Sequence, residues 1–513
     1  MPTNPSAPIA NPTWYSDIRH LFTQEDIDHM RSQGLDLSIY DVVKDNSSII
    51  YGQVASGSMP PNNPWPSAWV ETFLNWMTND CPKGTNAPTV GGFRLLTEGV
   101  ETKASRIRKD ITTLSTDELA LVKKAFAGMI AKDPTDPNGF FLQAGIHWLP
   151  GTGSPPRFFC QHHAPGYNPW HRAYLLGFEN AMRSIPGCEN VTLPYWDITT
   201  PLPDVLNQPP FDKYTLPQDI GGSYKKGYVT ERFDDATIAA NLIQYEVTDD
   251  INRALTKTDW EDFHGYFAGA PYNTIIAAHD GGHVSIGNTM ADQNVAAFDP
   301  IFFFFHCNWD RLFWKWQKSM QATDLNGLLS TIDKAKDPLS YQIFTVPILE
   351  KLAPFSTDPL NLTTLSIINS VTSLDVDYEE PKTQPLVESV FQTKTLRSAL
   401  ASQKFEVKPN LVDVRVLGLN RLKIPGSFSV HLQKDGKTIA SKAFFQPNEA
   451  EKCENCVENA VVHFDFELPL EEVTGGKLGV WVEPVDKSFV GDRFPNKLMG
   501  NPSVEVRLLL SNE

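Results

Sequence analysis

IIAAHDGGHVSIGNTMADQNVAAFDPIFFFFHCNWDRLFWKWQ, residues 275–317, is the stretch whose reading decides the fold. Apolar residues crowd both of its ends at helical spacing, which predicts one helix over Ile275 to His283 and another over His306 to Gln317. His279 and His283 stand four apart, so on a helix both imidazoles point to one face and can share one metal ion. His306 opens the next helix, and packing of the two helices can complete a three-nitrogen site.

A second group of three lies upstream. His147 sits in GIHW, and His162 and His171 in CQHHAPGYNPWHRAYLLGFE, residues 160–179. His171 opens a helix that begins near Trp170 and runs through Leu175, Phe178 and Met182. Three neutral imidazoles per ion, with no carboxylate in the pattern, suit copper, zinc or iron rather than calcium or magnesium. Zinc proteases of the HExxH type need a Glu between the histidines as general base. Here the segment is His279-Asp280-Gly281-Gly282-His283, which counts against that class. Copper accepts imidazole in both of its common oxidation states, so such a site can cycle electrons.

The surroundings are those of a large globular chain. Its 513 residues suffice for two or three domains. With 44 basic and 61 acidic residues the net charge is −17, which argues against nucleic acid or an anionic membrane as partner. No run of about 18 apolar residues marks a membrane span. The start, MPTNPSAPIANPTWY, shows no secretory signal, so the expected location is the cytoplasm or stays open. Six Cys in this length do not make a disulfide scaffold. Asn46, Asn190 and Asn361 head N-x-S/T triplets that read as chance matches. Nothing in the pattern fixes an oligomeric state, and a homo-oligomer is compatible with it.

Up to about residue 380 the chain reads as helices joined by long loops. Ser115 and Glu118 form a capping box ahead of Leu119, Val122, Phe126 and Met129. Thr199 to Thr230, rich in Pro, Gly, Asp and Tyr, reads as a loop. After Tyr378 the texture changes. Glu379 to Gln384 is a polar linker. Beyond it apolar residues alternate at Val412, Val414 and Val416, at Phe428, Val430 and Leu432, at Val462, Phe464, Phe466 and Leu468, and at Val504, Val506 and Leu508. Period two means half-buried strands, and Asp435-Gly436 is a hairpin turn. The expected architecture is a mainly α domain over 1–380, a helical bundle with long loops, followed over 381–513 by an all-β, sandwich-like domain.

These residues carry a family resemblance. GIHW with CQHHAPGYNPWHRAYLLGFE resembles the first copper site of the tyrosinase, catechol oxidase and hemocyanin family, and AAHDGGH with AAFDPIFFFFHCNWDRLFWKWQ resembles its second. The resemblance implies a helical-bundle dicopper domain holding two copper ions, with O2 and small phenols as partners. It implies His147, His162 and His171 on the first copper, with His163 as runner-up for His162, and His279, His283 and His306 on the second. Cys160 would form a thioether to His162. Phe302 would stand over the second copper, and Asn308 and Asp310 would orient ligand rings. Asp280 stands where monophenol-hydroxylating members often have Asn, and could itself take the phenol proton. No Glu partner is found among Ala268, Ala270, Ile275 and Ile276. The implied activity is oxidation of o-diphenols to o-quinones, the precursors of melanin, and o-hydroxylation of monophenols. An o-aminophenol oxidase or a hemocyanin-like O2 carrier stay open as alternatives.

The resemblance also implies that the C-terminal β domain covers the site and keeps a pro-enzyme latent. Phe489 and Phe494 are candidates for the covering residue. Cys453-Glu454-Asn455-Cys456 is a CxxC open to zinc, a disulfide, redox use or the uptake of copper.

Overall fold

The computed structural model describes residues 8–10, 12–15, 17–32, 35–56, 59–60, 64–79, 81–84, 104–148, 161–265, 272–345, 352–357, 359–364, 366–380, 411–485 and 500–508. Cys160, Ala268, Ala270, Phe489, Phe494 and linker residues 381–384 fall outside them. Two compact units are present, Met1–Val100 and Glu101–Glu513. The first is helical, its longest helix running Ser67–Thr78, around a core that includes Trp14, Phe22, Trp65, Phe73 and Trp76.

The second unit joins helices and a β sandwich around one core. Helix α1 (Thr116–Ile130) starts at the capping box of Ser115 and Glu118, as its sequence predicts. The short α2 (Phe140–Gly145) ends two residues before His147. Helix α3 (Tyr167–Arg183) begins before Trp170, so His171 lies in its second turn and does not open it. Helix α4 (Ile275–Ile286) is buried along its whole length and shows no polar face. Helix α5 (Ile301–Met320) also starts earlier than its spacing suggests. Asp299 Oδ1 accepts the Ile301 N–H (3.1 Å) and Pro300 precedes the first turn, so the four phenylalanines are helical and His306 sits one turn in.

Strands β1 (Arg106–Arg108) and β2 (Val376–Tyr378) pair in parallel and bring the two ends of the helical part together. Strands β3 (Leu411–Asn420), β4 (Phe428–Lys434), β5 (Lys437–Phe444), β6 (Val461–Pro469), β7 (Leu478–Pro484) and β8 (Ser503–Leu508) make two antiparallel three-stranded sheets, ordered β6-β3-β8 and β5-β4-β7. The β4–β5 hairpin turns at Asp435 (φ 51°) and Gly436 (φ 83°), the pair of positive dihedrals that a tight two-residue turn requires. Val412, Val414, Val416, Phe464 and Phe466 point inward, while Val506 on the edge strand is half exposed. The sandwich and the helices meet through buried polar contacts: Lys442 on β5 pairs with Asp250 (2.6 Å) and Glu246 (2.8 Å), and Tyr245 shares a hydrogen bond with Ser429. Among the described residues no helix is long and apolar enough to cross a membrane.

Candidate metal centre

α4 supplies His279 and His283 one turn apart, with ring centroids 4.6 Å from each other. The two glycines between them let the helix sit deep. A Cβ on Gly282 would meet Phe305 of α5 at 2.7 Å, and one on Gly281 would meet Val247 at 2.9 Å. α5 brings His306, whose Nε2 lies 3.2 Å from His283 Nε2. α3 brings His171, the end of α2 brings His147, and the loop before α3 brings His162. Two clusters of close nitrogen donors result: His147, His162 and His171, and His162, His279, His283 and His306. His162 belongs to both, so the two triads share a wall and two ions would be near neighbours. All six rings are buried.

The tautomers follow from the outer nitrogens. His171 Nδ1 donates to the Tyr167 carbonyl (2.8 Å), His283 Nδ1 to the Met290 carbonyl (2.8 Å), and His279 Nδ1 to Asp280 Oδ1 (2.9 Å). With the proton on Nδ1, each Nε2 keeps its lone pair and turns inward. Nε2 of His147, His171 and His279 is buried with no hydrogen-bond partner among the described residues. Buried nitrogens without partners are costly unless something takes them up, and this donor set fits imidazole-binding metal ions. Burial, then the neighbouring His279, pushes His147 down to about 3; burial likewise holds His162, His171, His283 and His306 well below the usual imidazole value. The rings are therefore neutral at pH 7, as ligation requires.

Phe302 lies 4.0 Å from the His306 ring and 4.8 Å from His147, so it walls both triads rather than one. His163 is in neither cluster. Its backbone is left-handed (φ 53°), which turns its ring away from that of its neighbour His162. The ring stacks instead on Phe444 (4.3 Å, 10°). Among the described residues neither Asn308 nor Asp310 hydrogen-bonds to a ligand ring. Asn308 Oδ1 accepts from Arg311 (2.8 Å), while Asp310, one turn beyond His306, accepts from Arg172 Nε (2.5 Å) and the Tyr378 hydroxyl (2.6 Å). Asp310 thereby clamps α5 to α3 and β2, while the Asn308 contact stays within α5.

Asp280 does not fit the part of a free base. Its two oxygens take four donors: His279 Nδ1 on one, and His163 Nε2 (2.7 Å), the Tyr272 hydroxyl (2.6 Å) and the Phe445 N–H (3.1 Å) on the other. Oδ2 is thereby fully engaged and Oδ1 is already shared with a ligand residue. Burial works to raise its pKa, but His163 and His279 outweigh it and hold the group below the ordinary carboxylate range. The CxxC expectation of metal binding is also corrected. Cys453 and Cys456 are joined as a disulfide, packed against Trp148 beside the Arg421 guanidinium, and offer no thiolate.

Phe445, which the sequence did not single out, packs directly against the histidines of the centre. Its ring stacks on His283 (3.8 Å, 9°) and stands edge-on to His162 (5.3 Å). It follows directly on β5 and is steadied by Gln446, whose amide donates to the Ile424 (2.9 Å) and Gly426 (2.8 Å) carbonyls and accepts from Arg421 (2.9 Å).

The model of the common central domain of tyrosinase matches residues 137–225 and 207–319, which contain all six histidines. The chain is 24% identical to a tyrosinase of Aspergillus oryzae over 461 residues, covering 66% of this chain and 83% of that protein. It is 27% identical to hemocyanin A-type, units Ode to Odg, of Enteroctopus dofleini, covering 47% of this chain and 21% of that one. Among solved structures, an oxygen-bound mutant of Aspergillus oryzae pro-tyrosinase superposes with a TM-score of 0.58 at 17% identity, covering 79% of this chain and 91% of that one. The tyrosinase of Burkholderia thailandensis gives 0.56 at 20% identity, covering 78% of this chain and 100% of that one. At such identities these two show a shared fold. With the paired histidine clusters, the comparisons support a tyrosinase-like central domain over residues 137–319, suited to a binuclear copper centre and followed by a C-terminal extension.

Proposed function

We propose that the chain is a latent phenol oxidase that converts o-diphenols to o-quinones with O2 once its 381–513 portion no longer covers the centre. The observation that carries this reading is Phe445. A six-membered aromatic ring lies flat on His283 and against His162, so the mouth is shaped for the ring of a phenol and is filled by one from the protein itself.

In this reading His147, His162 and His171 hold one copper and His279, His283 and His306 the other. When bound, the copper pair supplies O2 uptake and electron transfer. The protein's own part is positional. The Nδ1 contacts of His171, His279 and His283 keep the ligand nitrogens aimed inward. Phe302 closes the inner wall and keeps water from it. The face of His283 that Phe445 occupies is the platform on which a substrate ring would stack. Because Asp280 is already engaged by four donors, o-diphenol oxidation leads over monophenol hydroxylation, whose proton acceptor is better sought in another group. A thioether between Cys160 and His162 would fix that ligand further, and the quinone products are of the kind that polymerise to melanin.

A hemocyanin-like O2 carrier is the second reading, favoured by the octopus relatives and by the covered site. Copper-loaded protein, cleaved within 379–390, separates the two. Sustained quinone formation from L-DOPA or catechol supports the oxidase, o-aminophenol turnover extends its substrates, and reversible oxygenation without turnover makes it a carrier.

A further inference from the structure

The two oxygens of Asp280 face two different parts of the molecule. Oδ1 accepts from the ligand residue His279. Oδ2 gathers three donors from three separate segments, and each of them belongs to or touches the β sandwich. The Phe445 N–H is the backbone of the covering residue itself. Tyr272 donates its hydroxyl to Oδ2, has the Ala443 carbonyl 3.1 Å away as second acceptor, and sends its backbone N–H to Asp465 on β6 (2.7 Å). His163 donates from Nε2 while its ring lies flat on Phe444. A carboxylate suits this post because it is acceptor-only on both oxygens. An Asn in its place could still accept from His279, but would turn an NH2 toward three donors.

We propose that Asp280 is a latch: a positioning residue that couples seating of the lid to occupation of the metal centre. The proposal rests on the reading of Phe444-Phe445 as part of a lid. A metal ion on His279 Nε2 fixes that ring, the fixed ring holds Oδ1, and the held carboxylate presents Oδ2 to the lid. Without metal only the hydrogen bond to Asp280 holds the ring, and the carboxylate's grip on the lid loosens. Coupling of this kind is reciprocal, so a seated lid also tightens the hold of the centre on its metal. The lid is then a device for retaining copper as well as for excluding phenols.

The test is hydrogen exchange read by mass spectrometry on peptides spanning 440–447 of the full chain, copper-loaded and copper-stripped, for wild type, Asp280→Asn and Tyr272→Phe. Stripping should speed wild-type exchange at 443–446 by about tenfold or more, the scale of one charge-assisted hydrogen bond. In Asp280→Asn exchange should be fast in both states, so that the ratio falls toward one. Tyr272→Phe should keep its copper, show a smaller ratio, and lose metal to a chelator more readily than wild type. Wild-type exchange that ignores copper, or Tyr272→Phe with an unchanged ratio and unchanged metal release, overturns the latch while leaving the copper centre standing. Should Asp280→Asn fail to fold, Tyr272→Phe decides alone, since its hydroxyl hydrogen-bonds to Asp280 and Ala443 rather than to a ligand ring. Failure of the wild-type chain to take up copper overturns the centre and the latch together.

Discussion

Replacing Phe445 by alanine removes a ring that is fully buried, stacked 3.8 Å from His283 and edge-on to His162. Truncating a buried Phe to Ala costs about 3–5 kcal/mol, part transfer and part cavity. The cavity left here opens on the metal centre, where a substrate ring can fill it, so not all of that cost bears on closure. If about 2 kcal/mol of it is lost from the closed state relative to the open one, the opening equilibrium shifts by roughly thirtyfold. The uncleaved variant should then oxidise a bulky diphenol roughly thirtyfold faster than the uncleaved wild type. Cutting it within 379–390 should add correspondingly less. The assay is quinone formation at matched copper content, before and after limited proteolysis. An uncleaved Phe445→Ala protein as inactive as uncleaved wild type, beside a cleaved wild type that turns over, would refute the reasoning: the ring would then not be what blocks the site.

His279→Ala should abolish turnover and lower the metal count by one copper per chain, because three imidazoles per ion leave no spare ligand; retention of both ions in an active variant would overturn the assignment. The metal-free protein should lose stability in acid. Burial first, aided by His279 for one and His163 for the other, pushes His147 and His264 down to about 3. An unfolded imidazole titrates near ~6.5, so below that pH the unfolded state binds protons the native state refuses, and stability falls as pH drops toward 3, by of order 1 kcal/mol per pH unit for each group. Urea midpoints of stripped protein near pH 7.5 and pH 5 measure this; a midpoint that does not fall counts against neutral buried rings. Peptide mapping of copper-loaded protein should find Cys160 joined to His162, lighter by two hydrogens, whereas ready alkylation of Cys160 in active protein would rule the link out.

The histidine spacing made the metal centre legible because a ligand set is written in local sequence: i and i+4 on α4, one turn into α5, one turn into α3. Helix starts were less legible. Phe302 to Phe305 is apolar on every side, so no period shows where α5 begins, and the deciding contact is the Asp299 side chain. Strands β3, β4, β6 and β8 announced themselves by alternation. In β5, KTIASKAF mixes Lys and Ser into a buried face, and Lys442 is inward only because Asp250 waits for it some 190 residues away. Asp280 beside His279 invited the reading of a base; its other three partners lie in His163, Tyr272 and Phe445, contacts that no local pattern encodes. Nor does anything in the pair Phe444-Phe445 say which ring faces the metal centre. Strand geometry decides it: neighbours point to opposite faces, and the register Phe428↔Phe444 sends Phe444 to His163 and leaves Phe445 for His283.

The parallel pairing of β1 with β2 gives synthesis of the chain a timetable. Arg106 finds Val376 only after the ribosome has made everything between them, with the Glu379 amide then bonding the Arg108 carbonyl (2.9 Å). The helical part is thus tied off once residue 380 has emerged, while the last strand of the sandwich ends at Leu508. At about 5–20 residues per second that leaves roughly six to twenty-five seconds in which the six histidines can be assembled and still uncovered. On the reading of Phe445 as a lid, copper offered during translation meets an open door, and copper offered afterwards must wait for that ring to move.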